Sequence, residues 1–251
     1  MKTVVKKTSG EAGKYTAKLT EEKLNEAIRS KGRARLLLST GASQFPFFEE
    51  VSGMKVDWSK VEMFHLDEYV GISPEHNASF QKYLRERFVE KVRPMAAHLI
   101  DGRRPAEETI AELTELLKES PIDVGLIGIG ENAHIAFNDP PADFADERAY
   151  KVVTLAARCL EQQVHEGWFA SVEEGFRQAV SMTCREIMKC KAIVSLVPYA
   201  VKAEAVYNTL TRELTPEVPA TLLKEHPDFY LVCDEDSARL ALDAGILISD
   251  H

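Results

Sequence analysis

The side chains in this sequence that could do chemistry fall into four short stretches: the pair Asp67-Glu68, His134 with Asp139 five residues on, the turn Ser39-Thr40-Gly41-Ala42-Ser43, and Lys202. Each type suits a particular task. A partly desolvated carboxylate gains basicity and can carry a proton between neighbouring carbons. An imidazole moves protons near neutral pH, and a carboxylate behind it fixes its tautomer. A hydroxyl-rich turn at a helix start offers amide N–H groups and a favourable dipole to an anion. A lysine adds one cation. Together these groups amount to an acid–base site for a phosphorylated substrate.

Each stretch also has an ordinary reading. Ser39–Ser43 serves equally as a helix-capping turn, and it lacks the GK[ST] element of a nucleotide-binding P-loop. A lone Asp-Glu pair is usually solvated, and so is a lysine on a helix. Successive residues of a strand face opposite ways, so only one of Asp67 and Glu68 should enter a site. Gly128-Ile129-Gly130-Glu131-Asn132-Ala133 fits the G-x-G-x-x-A dinucleotide pattern, but Pro140-Pro141 arrives before a helix of normal length could form. Its glycines instead allow the backbone to pass close to a ligand, which makes Gly130 a candidate binding residue.

What would bring these stretches together is the elements before them. Five apolar runs, Arg35–Ser39, Val61–Leu66, Val124–Ile129, Ala192–Val197 and Phe229–Cys233, have the length and two-faced apolarity of buried strands. Helical spacing recurs between them, at Leu19–Ser30 with Thr20 as cap, at Ile110–Leu117, at Val172–Met188 and at Ala200–Leu210. Strand–helix alternation predicts an α/β chain, a Rossmann-like three-layer αβα domain on a mostly parallel sheet. Residues 1–251 read as one domain, with 139–170 as a small lid subdomain. Ligands of such folds sit beyond the carboxyl ends of the strands, and the four stretches follow the first four runs.

Composition excludes other classes. With 31 Lys plus Arg against 40 Asp plus Glu, the net charge is -9, a balance that repels nucleic acid and anionic membrane. There is no run of roughly 18 apolar residues to span a bilayer and no signal-like N-terminus. Cys159, Cys184, Cys190 and Cys233 show no paired spacing, so no metal site is expected. The expectation is a soluble cytoplasmic protein, with a homo-oligomer left open.

Phe64–Gly71 (FHLDEYVG) and Gly128–Pro140 (GIGENAHIAFNDP), supported by Ser39–Ser43, Lys202, His226-Pro227 and Cys233–Glu235, resemble the glucosamine-6-phosphate deaminase/isomerase family. That family shares a fold group with 6-phosphogluconolactonases and ribose-5-phosphate isomerases. DEYVG and IAFNDP look like the deaminase branch, where a lactonase would carry a DER-type motif and an ASLFPG-type ending. The resemblance implies conversion of a hexosamine 6-phosphate to a ketose phosphate and ammonia, without metal or organic cofactor. It implies Asp67 as the C2 base, His134 as the ring-opening group oriented by Asp139, and Ser39, Thr40, Gly41, Ala42, Ser43, Gly130 and Lys202 around the sugar phosphate. The chain departs from the family pattern at Asn132 (an Asp in the best-known deaminases), at Asp139 (a Glu) and at Ala42 (a Gly). A lid arginine has no secure counterpart near Gln162–Phe169, with Arg158 the nearest candidate. The alternatives implied are a sugar-phosphate lactone hydrolase and a non-catalytic sugar-phosphate-binding protein.

Overall fold

The structure is a computed structural model that describes residues 1–155, 164, 171 and 176–247. Its centre is a seven-stranded sheet in the order β1-β10-β9-β6-β2-β3-β5, built from β1 (Lys2–Lys6), β2 (Ala34–Leu38), β3 (Val61–His65), β5 (Ala96–His98), β6 (Val124–Leu126), β9 (Ala192–Val197) and β10 (Phe229–Asp234). Every pairing in it is parallel. The five apolar runs are all present as strands. The edge strands β1 and β5 escaped notice because they are short, half-exposed and carry no apolar run.

Alternation along the strands splits the interior into two cores. Leu37, Ile193, Leu231 and Cys233 pack on one face, while Leu36, Leu38, Val194, Tyr230 and Val232 pack on the other. Helix Ser9–Lys31 covers the second face. It begins at Thr8, whose hydroxyl accepts from Glu11 N, and ends at Gly32 in the left-handed region. The cap expected at Thr20 is therefore corrected. Thr20 is buried inside the helix and its hydroxyl donates to Thr16 O at 2.8 Å, satisfied without a helix end.

A second, antiparallel sheet in the order β4-β8-β7 joins Asp67–Tyr69 (β4), Tyr150–Thr154 (β7) and Gln178–Met182 (β8). This sheet corrects the helix expected over Val172–Met188. Val180, Met182 and Cys184 repeat at a spacing of two, not three or four, so Gln178–Met182 is a strand. Thr183 then caps the short helix Cys184–Ile187 by accepting from Glu186 N. Within the segment expected as a lid, β7 is a member of this sheet. Arg158, Cys159 and all of Gln162–Phe169 but Val164 lie outside the described residues.

β3 passes through Leu66 directly into β4. Leu66 N donates to Leu38 O in the main sheet, and Leu66 O accepts from Met182 N beside the small sheet. Asp67 consequently stands at the carboxyl edge of the parallel sheet, fixed by pairing with Ser181.

Candidate active site

A cleft of about 610 Å³, including its open mouth, lies at that edge. It is lined by Ser39, Thr40, Gly41, Ala42 and Ser43, by Asp67, by Gly128, Gly130 and His134, and by Lys202. Loops after β2, β3, β6 and β9 thus converge on one space. Asn132 and Asp139 stand behind His134 rather than in the wall.

Ser39–Ser43 turns sharply at Gly41, which has φ 98° and ψ 167°, a conformation that favours glycine. It then opens a 3-10 turn, Ala42–Gln44, leading into helix Phe45–Glu50. The first amides of such a turn have no acceptor inside it and are available to an anion. Tyr83 Oη donates to Gly41 O at 2.9 Å, pinning the turn. Ser39 Oγ accepts from Gly128 N at 3.1 Å, tying the two glycine-bearing loops together while keeping its own hydrogen to donate.

Asp67 and Glu68 diverge as strand geometry requires. Asp67 lines the cleft, only 6% exposed. Burial, with the neighbouring Glu68 charge adding to it, pushes its carboxyl up to about 8. Glu68 turns into the protein, where it accepts from Tyr69 N at 2.9 Å, Ser79 Oγ at 2.9 Å and Gln81 N at 2.7 Å. Burial raises Glu68 to about 7, against the opposing pull of those bonds. It anchors the start of helix Phe80–Leu84, and Phe80 is itself part of the cleft wall.

Residues 130–138 form turns, not a helix, so the dinucleotide reading of the glycines fails structurally. Ala133 and Ala136 take φ values of 64° and 49° within this loop. Gly130 N donates to His134 O, and Ala133 N to Gly130 O, both at 2.9 Å. The ring of His134 lies against Gly130, where a Cβ would come within 2.5 Å of Nδ1 and at least as close to Cε1 and Nε2. Gly130 lines the cleft and also makes room for the His134 ring. The nearest partner of His134 Nδ1 is Asn132 Oδ1 at 2.6 Å; Asp139 Oδ1 is at 3.3 Å and also accepts from Asn132 Nδ2 at 3.2 Å.

Lys202 ends a 3-10 turn, Ala200–Lys202, that precedes helix Ala203–Thr211, and its side chain is buried at the cleft. That turn follows Tyr199, whose φ is 80°. Asp234 holds it there, its carboxylate oxygens lying 3.1 and 3.0 Å from Tyr199 N while one also accepts from Ser237 N at 2.8 Å. Lys202 N then donates to Tyr199 O. Asp234→Ala should orphan these donors, lowering stability by about 2 kcal/mol and raising KM for a phosphorylated substrate more than it lowers kcat. Thermal melts and initial rates check both.

Sequence reasoning missed Gln44, Leu66, Phe80, Ile129, Ala136 and Phe137 in the wall. Gln44 is buried and donates to Leu196 O at 3.2 Å; its adjacency to the hydroxyl turn was the available signal. Phe80 and Phe137 stack with centroids 5.9 Å apart and planes at 11°. Phe80 gave no local signal.

The chain matches the family model described as glucosamine-6-phosphate isomerases/6-phosphogluconolactonase over residues 7–231. It is 33% identical over 254 residues to glucosamine-6-phosphate deaminase of Thermoanaerobacter pseudethanolicus, covering 98% of this chain and 97% of the relative. It is 32% identical over 240 residues to the deaminase of Streptococcus agalactiae, covering 95% and 99%. Among solved structures, a monomeric glucosamine-6-phosphate deaminase superposes with a TM-score of 0.87 at 26% identity, covering 96% of this chain and 100% of that one. A 6-phosphogluconolactonase of Thermotoga maritima shares the fold, with a TM-score of 0.76 at 15% identity over 93% of this chain and 100% of that one. With a family model spanning most of its length, the chain belongs to the glucosamine-6-phosphate isomerase/6-phosphogluconolactonase family.

Proposed function

We propose that this chain is a glucosamine-6-phosphate deaminase, converting an amino-sugar phosphate to fructose 6-phosphate and ammonia. The observation that carries the reading is that Asp67 and His134 line one cleft with the 39–43 turn and Lys202. The turn amides, the hydroxyls and Lys202 hold the phosphate. His134 opens the pyranose by moving a proton between sugar oxygens. Asp67 removes the C2 proton of the open aldehyde, giving an enolamine, and returns a proton to C1. The resulting C2 imine takes up water and releases ammonia. Asn132 and Asp139 stand behind His134 as its positioning groups. The named relatives support this reading, and a phosphorylated sugar substrate agrees with the cytoplasmic location expected above. Among the described residues no helix is long and apolar enough to cross a membrane.

Purified protein given glucosamine 6-phosphate should yield ammonia and fructose 6-phosphate in equal amounts, and should not accelerate acid release from 6-phosphogluconolactone. The opposite pattern makes it a lactonase; tight binding without turnover makes it a binding protein.

A pH dependence follows from Asp67. It must be ionised to act as base, and burial holds it protonated up to about 8. The acid limb of kcat/KM, which reports free enzyme, should fall near that value. The C2 ammonium of a bound amino sugar favours the carboxylate, so the limb in kcat should lie lower. Profiles of both parameters from pH 5 to 10 test the separation.

A further inference from the structure

We propose that the Tyr83 hydroxyl latches the phosphate turn: by holding the Gly41 carbonyl it keeps the Ala42 amide aimed at the bound anion, which makes Tyr83 a positioning residue for the sugar phosphate. The inference rests on the reading of Ser39–Ser43 as a phosphate cradle and adds what sets the cradle's shape.

In a trans peptide the C=O and the N–H point opposite ways, so whatever fixes Gly41 O also fixes the direction of the Ala42 N–H. Gly41 itself fixes little. It sits at φ 98° and ψ 167°, with nothing within 4 Å of where a Cβ would stand, and a residue without a Cβ leaves the adjoining peptide plane free to rock. The orientation therefore depends on the donors that reach Gly41 O, and among the described residues there are two. Gln44 N, 3.1 Å away, closes the 3-10 turn from inside, a bond of the geometrically poorer i→i+3 kind. Tyr83 Oη, 2.9 Å away, comes from a different element. Among the described residues the cleft wall includes Gly41, Ala42 and Ser43 but not Tyr83. The hydroxyl thus acts on a ligand through the turn.

The phenol is itself held in place. Its ring stacks on Phe45 with centroids 5.6 Å apart and planes at 18°, and Phe48 meets it edge-on at 5.4 Å. Both partners belong to the helix into which the turn opens. Burial pushes the Tyr83 hydroxyl above its ordinary pKa, so it keeps its hydrogen and donates at neutral pH. The start of the helix that carries Tyr83 is tied to Glu68, whose Oε2 accepts from Ser79 Oγ and Gln81 N. Glu68 is the chain neighbour of Asp67. The latch therefore joins the strand of the base to the cradle, and a phosphosugar gripped at one end meets the carboxylate at a fixed spacing at the other.

The test takes inorganic phosphate as probe and the full chain labelled with ¹⁵N-alanine; the Ala42 amide signal is the one lost in Ala42→Gly. In wild type, phosphate should move that signal downfield, as an N–H donating to an anion does. Tyr83→Phe keeps the ring and its stacking but removes the donor. The phosphate dissociation constant read from the same signal should rise about 3- to 10-fold, the usual worth of one neutral hydrogen bond. With glucosamine 6-phosphate, KM should rise by a similar factor while kcat stays close to wild type. Unchanged phosphate affinity and KM in Tyr83→Phe would overturn the latch, and so would a fall in kcat with KM unchanged, the mark of a merely structural tyrosine. A wild-type Ala42 signal indifferent to phosphate would remove the cradle reading and the latch with it, whereas a wild-type response matched by Tyr83→Phe removes the latch alone. The phosphate titration needs no turnover, so a chain that shows the expected loss of affinity yet leaves glucosamine 6-phosphate unconverted loses the deaminase reading and keeps the latch.

Discussion

Asp67→Asn is expected to lower kcat for ammonia release by about 10²–10⁴-fold, the usual worth of a general base, with KM little changed. Asparagine keeps the volume and one acceptor but cannot take the C2 proton. The variant should also report on its own burial. Asp67 is raised from 3.8 to about 8 in the folded chain, so between those values the unfolded state ionises while the folded state stays protonated. Stability is full below pH 3.8 and falls as pH climbs to about 8, by about 1.4 kcal/mol per unit for an ideally isolated group. A neutral asparagine escapes that loss. Its melting temperature should gain on wild type at pH 8.5 relative to pH 4. A rate close to wild type would remove Asp67 from the chemistry, and a flat difference in melting temperature would remove the burial argument.

Gly130→Ala should be nearly as damaging to turnover while leaving the fold in place. A Cβ there would come within 2.2–2.5 Å of three atoms of the His134 ring, closer than any ring can tolerate. The ring has to leave, breaking its contact with Asn132 Oδ1. A displacement of about 1 Å in a catalytic group costs on the order of 10²-fold in rate, and crowding of this kind costs about 1–3 kcal/mol in stability. kcat measured beside a thermal melt separates the two effects. Unchanged kcat would mean that the position of His134 does not matter to turnover.

Much of the site was legible in the sequence because buried parallel strands announce themselves and ligands gather beyond their carboxyl ends. Leu36–Leu38 and Ile193–Val197 are apolar on both faces, and reading the residues after each such run led to Ser39, Asp67, Gly130, His134 and Lys202, all of which line one cleft. Strand alternation also separated Asp67 from Glu68. Signals that depend on tertiary partners were not legible. The small sheet was hidden because Gln178–Met182 runs straight into the helix turn Cys184–Ile187, so apolar positions spaced by two merged with one further turn into a false helical pattern. The order of contacts behind His134 was equally hidden. Chain spacing suggested Asp139, yet the Gly130–His134 turn places Asn132 nearer to Nδ1. Which glycine is sterically obligatory is likewise a question of packing. A Cβ at Gly128 would make ordinary contacts at 3.6 Å, and one at Gly130 would not fit.

Turnover of glucosamine 6-phosphate in D₂O, followed by ¹H NMR, tests the shared cleft most directly. If Asp67 lifts a proton from C2 and returns one to C1, deuterium should enter C1 of the fructose 6-phosphate formed and C2 of recovered substrate, and both should vanish in Asp67→Asn. Ammonia formed with no deuterium at either carbon in wild type, or with the same incorporation in Asp67→Asn, would contradict the assignment of that carboxylate to the reacting carbons.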